Sequence, residues 1–199
     1  MDIERRIHNV SPIEVRKADQ SSASTLRGYA AVFNTLSQPL CGFREQIAPG
    51  AFDGVLNGDV RALFNHDPNH VLGRTLSKTL RLNVDKVGLF YEVDLPDTQA
   101  ARDLTTCIDR GDVSQSSFAF RVAPNGDTWD ENEDGIIIRT ITKFAILYDV
   151  SPVTYPAYLD ATVDVRSFDA FRASKIAADQ TVRSKRQAES RTRQLILNR

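Results

Sequence analysis

The sequence predicts an α+β protein that is mainly β, with a few helices beside the strands. Polar and apolar residues alternate with period two in many short segments, which is typical of half-buried strands. Turn-forming residues separate these segments, and short strands joined by turns indicate an antiparallel sheet that is closed or folded on itself. Apolar residues at helical spacing are rarer, with the clearest instance near the middle of the chain.

Composition bounds the class of protein. At 199 residues, 41% of them hydrophobic, the chain is long enough to bury a core and has the composition of a soluble globular protein. Its formal net charge of -1 does not indicate a nucleic-acid or membrane partner, and no apolar run approaches a membrane span or a secretory signal. Cys41 and Cys107 lack the spacing of metal ligands, so we expect free thiols in a reducing, cytoplasmic compartment.

The predicted strands follow one another along most of the chain. A strand is predicted at 13–16, followed by a polar linker at 17–24. Alternation then predicts strands at residues 26–33, 43–47, 60–65, 80–84 and 88–95. A short helix is predicted at 51–56. Residues 136–151 are predicted to form two strands or one strongly bent strand, because the β-rich run is long.

A helix and the strand after it form the centre of the predicted architecture. Thr98 is a favourable N-cap, Gly111 marks the helix end, and the apolar residues between them recur at helical spacing. The helix delivers the chain to an alternating strand that begins at Ser117. One face of this strand has Phe118, Phe120 and Val122, and the other has Ser117, Ala119 and Arg121.

Three serines, Ser114, Ser116 and Ser117, crowd the start of this strand. A hydroxyl at the mouth of a strand is a candidate nucleophile. A strand end capped by small polar residues is the alternative interpretation. A serine hydroxyl needs a neighbouring base, and His66, at the end of the predicted strand 60–65, is well placed to act as one.

The sequence predicts neither a metal site nor a cofactor. His66 and His70 are four residues apart, the spacing of a zinc pair on a helix, but Pro68 between them argues against a helix. The acidic run at 130–135 reads as a solvated hairpin loop, because it does not meet the register of calcium ligands.

A serine hydrolase built from these residues would have an unusual order along the chain. Every imidazole precedes the serine cluster, so the order is His, then Ser, then a third group. This order differs from those of chymotrypsin, subtilisin and the α/β-hydrolases, and the chain has no G-x-S-x-G motif. Those three folds are therefore disfavoured.

Three motifs in order resemble the prohead (capsid maturation) protease family of tailed phages and prophages, the HK97-type enzymes, which is related to the herpesvirus assemblins. The motifs are Phe64-Asn65-His66-Asp67 with Leu72-Gly73-Arg74, the run Gly111 to Phe120, and Asp149-Val150-Ser151-Pro152-Val153. The resemblance covers about residues 25–167 and implies an antiparallel β-barrel of assemblin type flanked by helices.

The resemblance also implies a site. His66 falls on the family's histidine and Ser117 on its nucleophile, while Ser116 and Ser114 stay open as alternative nucleophiles. Assemblins use a second histidine as third member, and this chain has none after His70, so Asp149 is the expected substitute. A strand-end turn former is the alternative interpretation of Asp149. Backbone amides near Arg121 or Arg139, or an arginine side chain, are the candidate oxyanion donors.

The implied function is that of a serine endopeptidase that cleaves the scaffolding segment of the major capsid protein. Self-cleavage, self-association within the procapsid, and action in the host cytoplasm inside the assembling procapsid are expected as well, with no requirement for nucleic acid or membrane. Three parts are predicted: a flexible N-terminal segment at 1–24, the protease domain at 25–167, and a basic, helical or disordered tail at 168–199.

The sequence also allows two other interpretations. One is a scaffolding or assembly protein that keeps the fold but has lost activity. The other is a β-barrel interaction module that binds a peptide along a strand edge, with His66 and Ser117 merely near one another.

Overall fold

The computed structural model describes residues 3–8, 13–16, 24–40, 42–155 and 165–197. These residues form twelve strands and two helices. The strands are β1 Glu4–His8, β2 Glu14–Arg16, β3 Thr25–Val32, β4 Phe43–Ile47, β5 Arg61–Phe64, β6 Asp67–Arg74, β7 Leu80–Val84, β8 Gly88–Asp94, β9 Gln115–Val122, β10 Asp127–Glu131, β11 Ile137–Ile141 and β12 Phe144–Val153. The helices are α1 Gln99–Arg110 and α2 Val165–Leu197.

The strands pair into three sheets. One has five strands in the order β1-β9-β12-β5-β6, one has four in the order β2-β3-β8-β7, and one has three in the order β10-β11-β4. The mainly β, α+β class is confirmed. Within the described residues the pairings do not join the sheets into one closed barrel, so the predicted barrel is not confirmed.

Most pairings are antiparallel, as the turn-rich pattern predicts, but two are parallel. Strand β12 pairs in parallel with β5, and β11 pairs in parallel with β4. The predicted alternative of two strands within 136–151 is the one observed, as β11 and β12. The β5 pairing matters for the site because it brings the end of the 60–65 segment beside the end of β12.

The core lies between the sheets and is rich in aromatic rings. Phe52, Phe118, Phe120 and Phe144 are almost completely buried, and their ring centroids lie 4.6–5.9 Å apart in tilted, stacked and edge-on pairs. The helix predicted at 51–56 is absent, because this segment forms a series of turns. These turns place Phe52 in the aromatic cluster.

Helix α1 has the predicted ends. The Thr98 hydroxyl accepts a hydrogen bond from the Ala101 amide, and Gly111 adopts a left-handed φ of 82° with its N–H bonded to the last carbonyls of the helix. Ala101, Leu104 and Ile108 are its buried stripe. The anchored helix therefore fixes the point at which the chain enters β9.

Contacts divide the chain into two units, residues 1–163 and 164–199. The second unit contains α2, a 33-residue helix whose described side chains are mostly exposed. No described helix is long and apolar enough to cross a membrane. Cys107 is a free thiol, and Cys41 lies outside the described residues. The three-part division at residues 24 and 167 stays a prediction, and the structure has strands β1 and β2 in the first of those parts.

Candidate active site

The serine-bearing strand β9 presents its neighbouring serines to opposite faces of the sheet. Ser116 shares a face with Phe118 and Phe120, which belong to the core, and Ser117 shares the other face with Ala119. Ser117 lies directly opposite Ser151 of β12. Both faces are buried at this point, so β9 is more deeply covered than the half-buried strand predicted from the sequence.

The three candidate nucleophiles have different surroundings. Ser116 is buried in the core, where its hydroxyl lies 2.7 Å from the hydroxyl of Tyr91 on β8. Burial raises the pKa of Tyr91 well above its usual range, and the hydrogen bond to Ser116 opposes the shift only in part. Ser114 is exposed and precedes β9. Among the side chains that the structure describes, Ser117 is the one of these three serines that contacts an imidazole.

A bulge in β12 places Asp149 on the same face as Ser117. Leu147 pairs with Phe120 and Asp149 pairs with Ala119, so one residue, Tyr148, is extra between them. Without the extra residue, Leu147 and Asp149 would lie on the same face of the strand. The bulge instead sends Leu147 into the core and the Asp149 carboxylate toward Ser117.

His66 lies in the two-residue turn between β5 and β6. Phe64 and Asp67 pair across the turn, and both residues between them have positive φ, 54° for Asn65 and 57° for His66. Two successive positive φ values are the pattern of a type I′ hairpin turn. Asn and His are among the non-glycine residues that tolerate this conformation best. The turn carries the imidazole past the end of β5 toward β12.

The three side chains meet in a continuous chain of contacts. His66 Nε2 lies 2.6 Å from Ser117 Oγ, and His66 Nδ1 lies 2.6 Å from Asp149 Oδ1. An ionised carboxylate only accepts hydrogen bonds, so Nδ1 carries the proton and Nε2 of the neutral ring accepts from the hydroxyl. This arrangement allows the ring to take the hydroxyl proton while the carboxylate stabilises the resulting imidazolium.

The contacts lie in a largely water-excluded environment. The side chains of His66 and Asp149 are 10% and 9% exposed, and Ser117 is 1% exposed. In such surroundings each hydrogen bond is electrostatically stronger than in water, and an unpaired partner would be costly. Removing any one of the three groups therefore leaves a neighbouring polar atom of the set without its hydrogen-bond partner.

Two further residues support this set, Ser151 by contacting it and Asn65 by holding the turn, and neither was among the predicted site residues. Ser151 donates a 2.8 Å hydrogen bond to Asp149 Oδ1, and Asn65 is hydrogen-bonded to the end of β12. Their positions in the sequence could have indicated this. Asn65 directly precedes His66, and Ser151 follows Asp149 by two residues, which places both on one face of a strand.

Arg139 is not available as an oxyanion donor through its side chain. Its guanidinium is buried and hydrogen-bonded to Glu4, Glu45 and Asp127, with distances of 2.7–3.2 Å. These carboxylates accept hydrogen bonds from all three nitrogen atoms of the guanidinium. Arg121 lies on β9 and is half-buried.

His70 lies away from this chain of contacts. It is in the exposed part of β6, where its Nδ1 lies 3.1 Å from Asp67 Oδ2. His66 and His70 are on a turn and a strand rather than on a helix, and Pro68 is accommodated because β6 is an edge strand. Among the described residues, no group of three or more potential ligands could hold a metal ion.

The sequence profile of the family described as caudovirus prohead serine protease matches residues 11–175. The chain belongs to this family. The match includes β2 to β12, and thus all the elements that bring His66, Ser117 and Asp149 together. The resemblance inferred from the three motifs is confirmed. Searches of curated proteins and of solved structures returned no match.

Membership of the prohead serine protease family supports a role in capsid maturation and a serine protease activity for the chain. It also implies contact with capsid proteins.

Proposed function

We propose that the chain is the maturation endopeptidase of a tailed-phage prohead. Ser117 is the nucleophile, His66 the general base and then the general acid, and Asp149 the group that orients the imidazole. The observation that supports this proposal is the unbroken contact of the three side chains, 2.6 Å on each side of the ring, in a member of the prohead serine protease family.

The proposed reaction is acyl transfer to a serine, followed by hydrolysis. Ser117 Oγ attacks the carbonyl carbon of the scissile peptide while His66 Nε2 takes its proton. The carbon–nitrogen bond then breaks, and His66 returns the proton to the leaving amine. A water molecule, deprotonated by the same ring, releases the acyl group and restores the hydroxyl. Asp149 stays ionised throughout and stabilises the imidazolium.

The proposed substrate is the scaffolding segment of the major capsid protein, cleaved inside the assembling procapsid in the host cytoplasm. The family description supports this choice, because a protease of the prohead acts where capsid proteins assemble. Self-association within the procapsid is part of the same proposal, whereas nucleic acid, membrane and cofactor have no part in it.

The test is co-expression with the cognate capsid protein. Wild-type protein, Ser117→Ala and Ser114→Ala are each expressed with it, and the capsid protein is analysed by mass spectrometry. Ser114→Ala is the matched control, because this serine is exposed and lies only three residues earlier. We expect cleavage with wild-type protein and Ser114→Ala and none with Ser117→Ala. Continued cleavage at the same bond by Ser117→Ala would refute the assignment.

Labelling with a serine-reactive phosphonate separates this proposal from an inactive assembly protein of the same fold. We expect wild-type protein to be labelled at Ser117 within assembled proheads, because the neighbouring base activates only that hydroxyl. An assembly protein without activity would remain unlabelled there, while still being incorporated.

Self-cleavage in the basic segment beyond residue 166 is the second part of the proposal. Residues 165–197 contain eight lysines and arginines against three acidic residues, and their described side chains are mostly exposed, so this segment is accessible to a protease. Purified full-length protein is expected to shorten in this segment on storage, and Ser117→Ala is expected to stay intact. Equal shortening of both would point to contaminating proteases.

A further inference from the structure

The turn that carries His66 is conformationally demanding. Both of its central residues have positive φ, and neither is glycine. Such backbone conformations persist only where the surrounding structure holds them, and they cluster at functional sites. What holds this turn therefore also determines where the imidazole lies.

Asn65 joins the turn to the end of β12 through three hydrogen bonds of good length. Its backbone N–H donates to the Pro152 carbonyl at 3.0 Å, and its Oδ1 accepts from the Thr154 amide at 2.9 Å. Its Nδ2 donates to the Thr154 hydroxyl at 3.0 Å. The side chain thus uses both its acceptor and its donor on one partner residue, an arrangement that defines direction as well as distance.

These bonds act where the regular pairing of the two strands ends. The parallel pairing of β5 with β12 comprises Arg61 with Asp149 and Ala62 with Val150. Beyond it, Asn65 continues the connection along the same chain segment through its hydrogen bonds with Pro152 and Thr154. Asp149, the partner of His66 Nδ1, lies on the same strand. Asn65 therefore links the element that carries the imidazole to the element that carries the carboxylate.

We infer that Asn65, with Thr154 as its partner, is a positioning residue of the proposed reaction. It holds His66 in register with Asp149 and Ser117 and makes no contact with the reacting atoms itself. The inference rests on the proposed function. A misplacement of about 1 Å in a catalytic group lowers the rate by about 100-fold, so loss of the side chain is expected to act on the chemical step.

The alternative is that Asn65 serves only to form the turn. Asn65→Gly separates the two roles, because glycine adopts positive φ without cost and keeps the backbone bond to Pro152 but has no side chain for Thr154. Thr154→Val is a second variant: it removes the hydroxyl that Nδ2 contacts and keeps the amide that Oδ1 contacts. Asn125→Gly is the matched control, because Asn125 has a φ of 57° in the connection between β9 and β10.

Hydrolysis of a peptide spanning the capsid cleavage site is measured for each protein. We expect Asn65→Gly to lower kcat about 100-fold with KM within about two-fold of wild type, and Thr154→Val to lower kcat by about 3- to 10-fold. Asn125→Gly is expected to keep both constants, and all the variants are expected to melt as single cooperative transitions. Wild-type kcat in Asn65→Gly, or an equal fall of kcat in Asn125→Gly, would overturn the inference.

A second measurement needs no substrate. Proton NMR follows the imidazole proton on His66 Nδ1, assigned by its absence in His66→Gln. We expect the hydrogen-bonded signal in wild-type protein, Ser117→Ala and Asn125→Gly, and its loss or broadening in Asn65→Gly. If wild-type protein proves inactive yet Asn65→Gly alone loses the signal, the proposed function fails and the positioning role stands. If the signal persists unchanged in Asn65→Gly, the positioning role fails whatever the activity.

Discussion

Ser151 donates a 2.8 Å hydrogen bond to Asp149 Oδ1, the same carboxylate oxygen that lies 2.6 Å from His66 Nδ1. Ser151 is fully buried and lies directly opposite Ser117 on the neighbouring strand. One oxygen atom thus accepts from the imidazole and from a hydroxyl that is fixed by the sheet. The hydroxyl holds the carboxylate in the orientation that suits the ring.

Ser151→Ala is expected to lower kcat/KM by about 10- to 100-fold, because a hydrogen bond to a charged group contributes about 1.5–3 kcal/mol. Ser151→Thr keeps the hydroxyl and is the matched variant, expected to retain most of the activity. Peptide hydrolysis measured for both proteins checks the prediction. Equal activity of Ser151→Ala and wild type would show that the carboxylate needs no second donor.

Asp149→Asn is expected to reduce kcat by about 10⁴-fold while the protein stays folded. An amide at this position can donate a hydrogen bond to Nδ1, so the imidazole proton would lie on Nε2. A protonated Nε2 cannot accept the proton of the Ser117 hydroxyl. Asp67→Asn is the control, because Asp67 also contacts a histidine, the exposed His70. A comparable loss of kcat in Asp67→Asn would contradict a special role for Asp149.

The buried pair of Tyr91 and Ser116 predicts a pH-dependent stability. Burial raises the pKa of Tyr91, so the folded protein keeps a proton that the unfolded chain releases from about pH 10 upward. The stability contributed by this group is therefore present below pH 10 and is lost as the pH rises above it.

Tyr91→Phe is expected to cost about 1–3 kcal/mol at pH 8, because the Ser116 hydroxyl loses its partner in the core. Above about pH 10 the difference from wild type should narrow by up to about 1.4 kcal/mol per pH unit, since phenylalanine does not titrate. Urea unfolding at pH 8, 10 and 11 measures both effects. A constant difference across this range would argue against a raised pKa for Tyr91.

The sequence was sufficient for the elements that depend on local pattern. The caps of α1, the alternation in β9 and the order of the three motifs are properties of neighbouring residues, and they predicted the helix, the serine strand and the family. Whether the sheets close into a barrel was not predictable in this way, because closure depends on which strand edges pair and not on the pattern within a strand.

Features that arise from pairing between distant segments were missed. The bulge at Tyr148 exists only relative to β9, although the apolar spacing of three from Phe144 to Leu147 and Val150 was a signal for it. The asparagine before His66 was the one sequence signal for the positive φ at His66. The turn lacks the Asn-Gly sequence that is typical of type I′ hairpins. Both features place a side chain of the candidate site.

Buried charges were also missed, although alternation in β4 contained the information. Glu45 lies on the same face as Phe43 and Ile47, and all three are buried. Its partners come from β1 and β11, which are remote in the sequence. A polar residue on an apolar face therefore indicated a charge partner whose identity only the fold reveals.

The cluster around Glu45 joins β1 to the three-stranded sheet. Arg6 lies 2.6 Å from Glu45 and from Glu4, and Arg139 lies 2.7 Å from Glu4 and from Asp127 and 3.0 Å from Glu45. Arg6, Glu4, Glu45 and Arg139 are at most 5% exposed at their side chains. Replacing Glu45 breaks a buried ion pair with each arginine, although Glu4 still contacts both, and breaking a buried pair typically costs about 3–5 kcal/mol.

Glu45→Gln is therefore expected to lower the free energy of unfolding by about 3–5 kcal/mol, since both arginines lose a carboxylate while the side-chain volume is kept. Glu92→Gln is the matched control, because Glu92 pairs with Arg81 at an exposed position, where such a pair contributes less than about 1 kcal/mol. Denaturant unfolding of the two variants gives the comparison. Equal stability losses in the two variants would show that the buried charges are compensated by other groups.

Strand β1 also pairs with the serine strand β9, with Ile7 opposite Ser117. Labelling of Ser117 by the phosphonate is therefore expected to weaken in Glu45→Gln and not in Glu92→Gln.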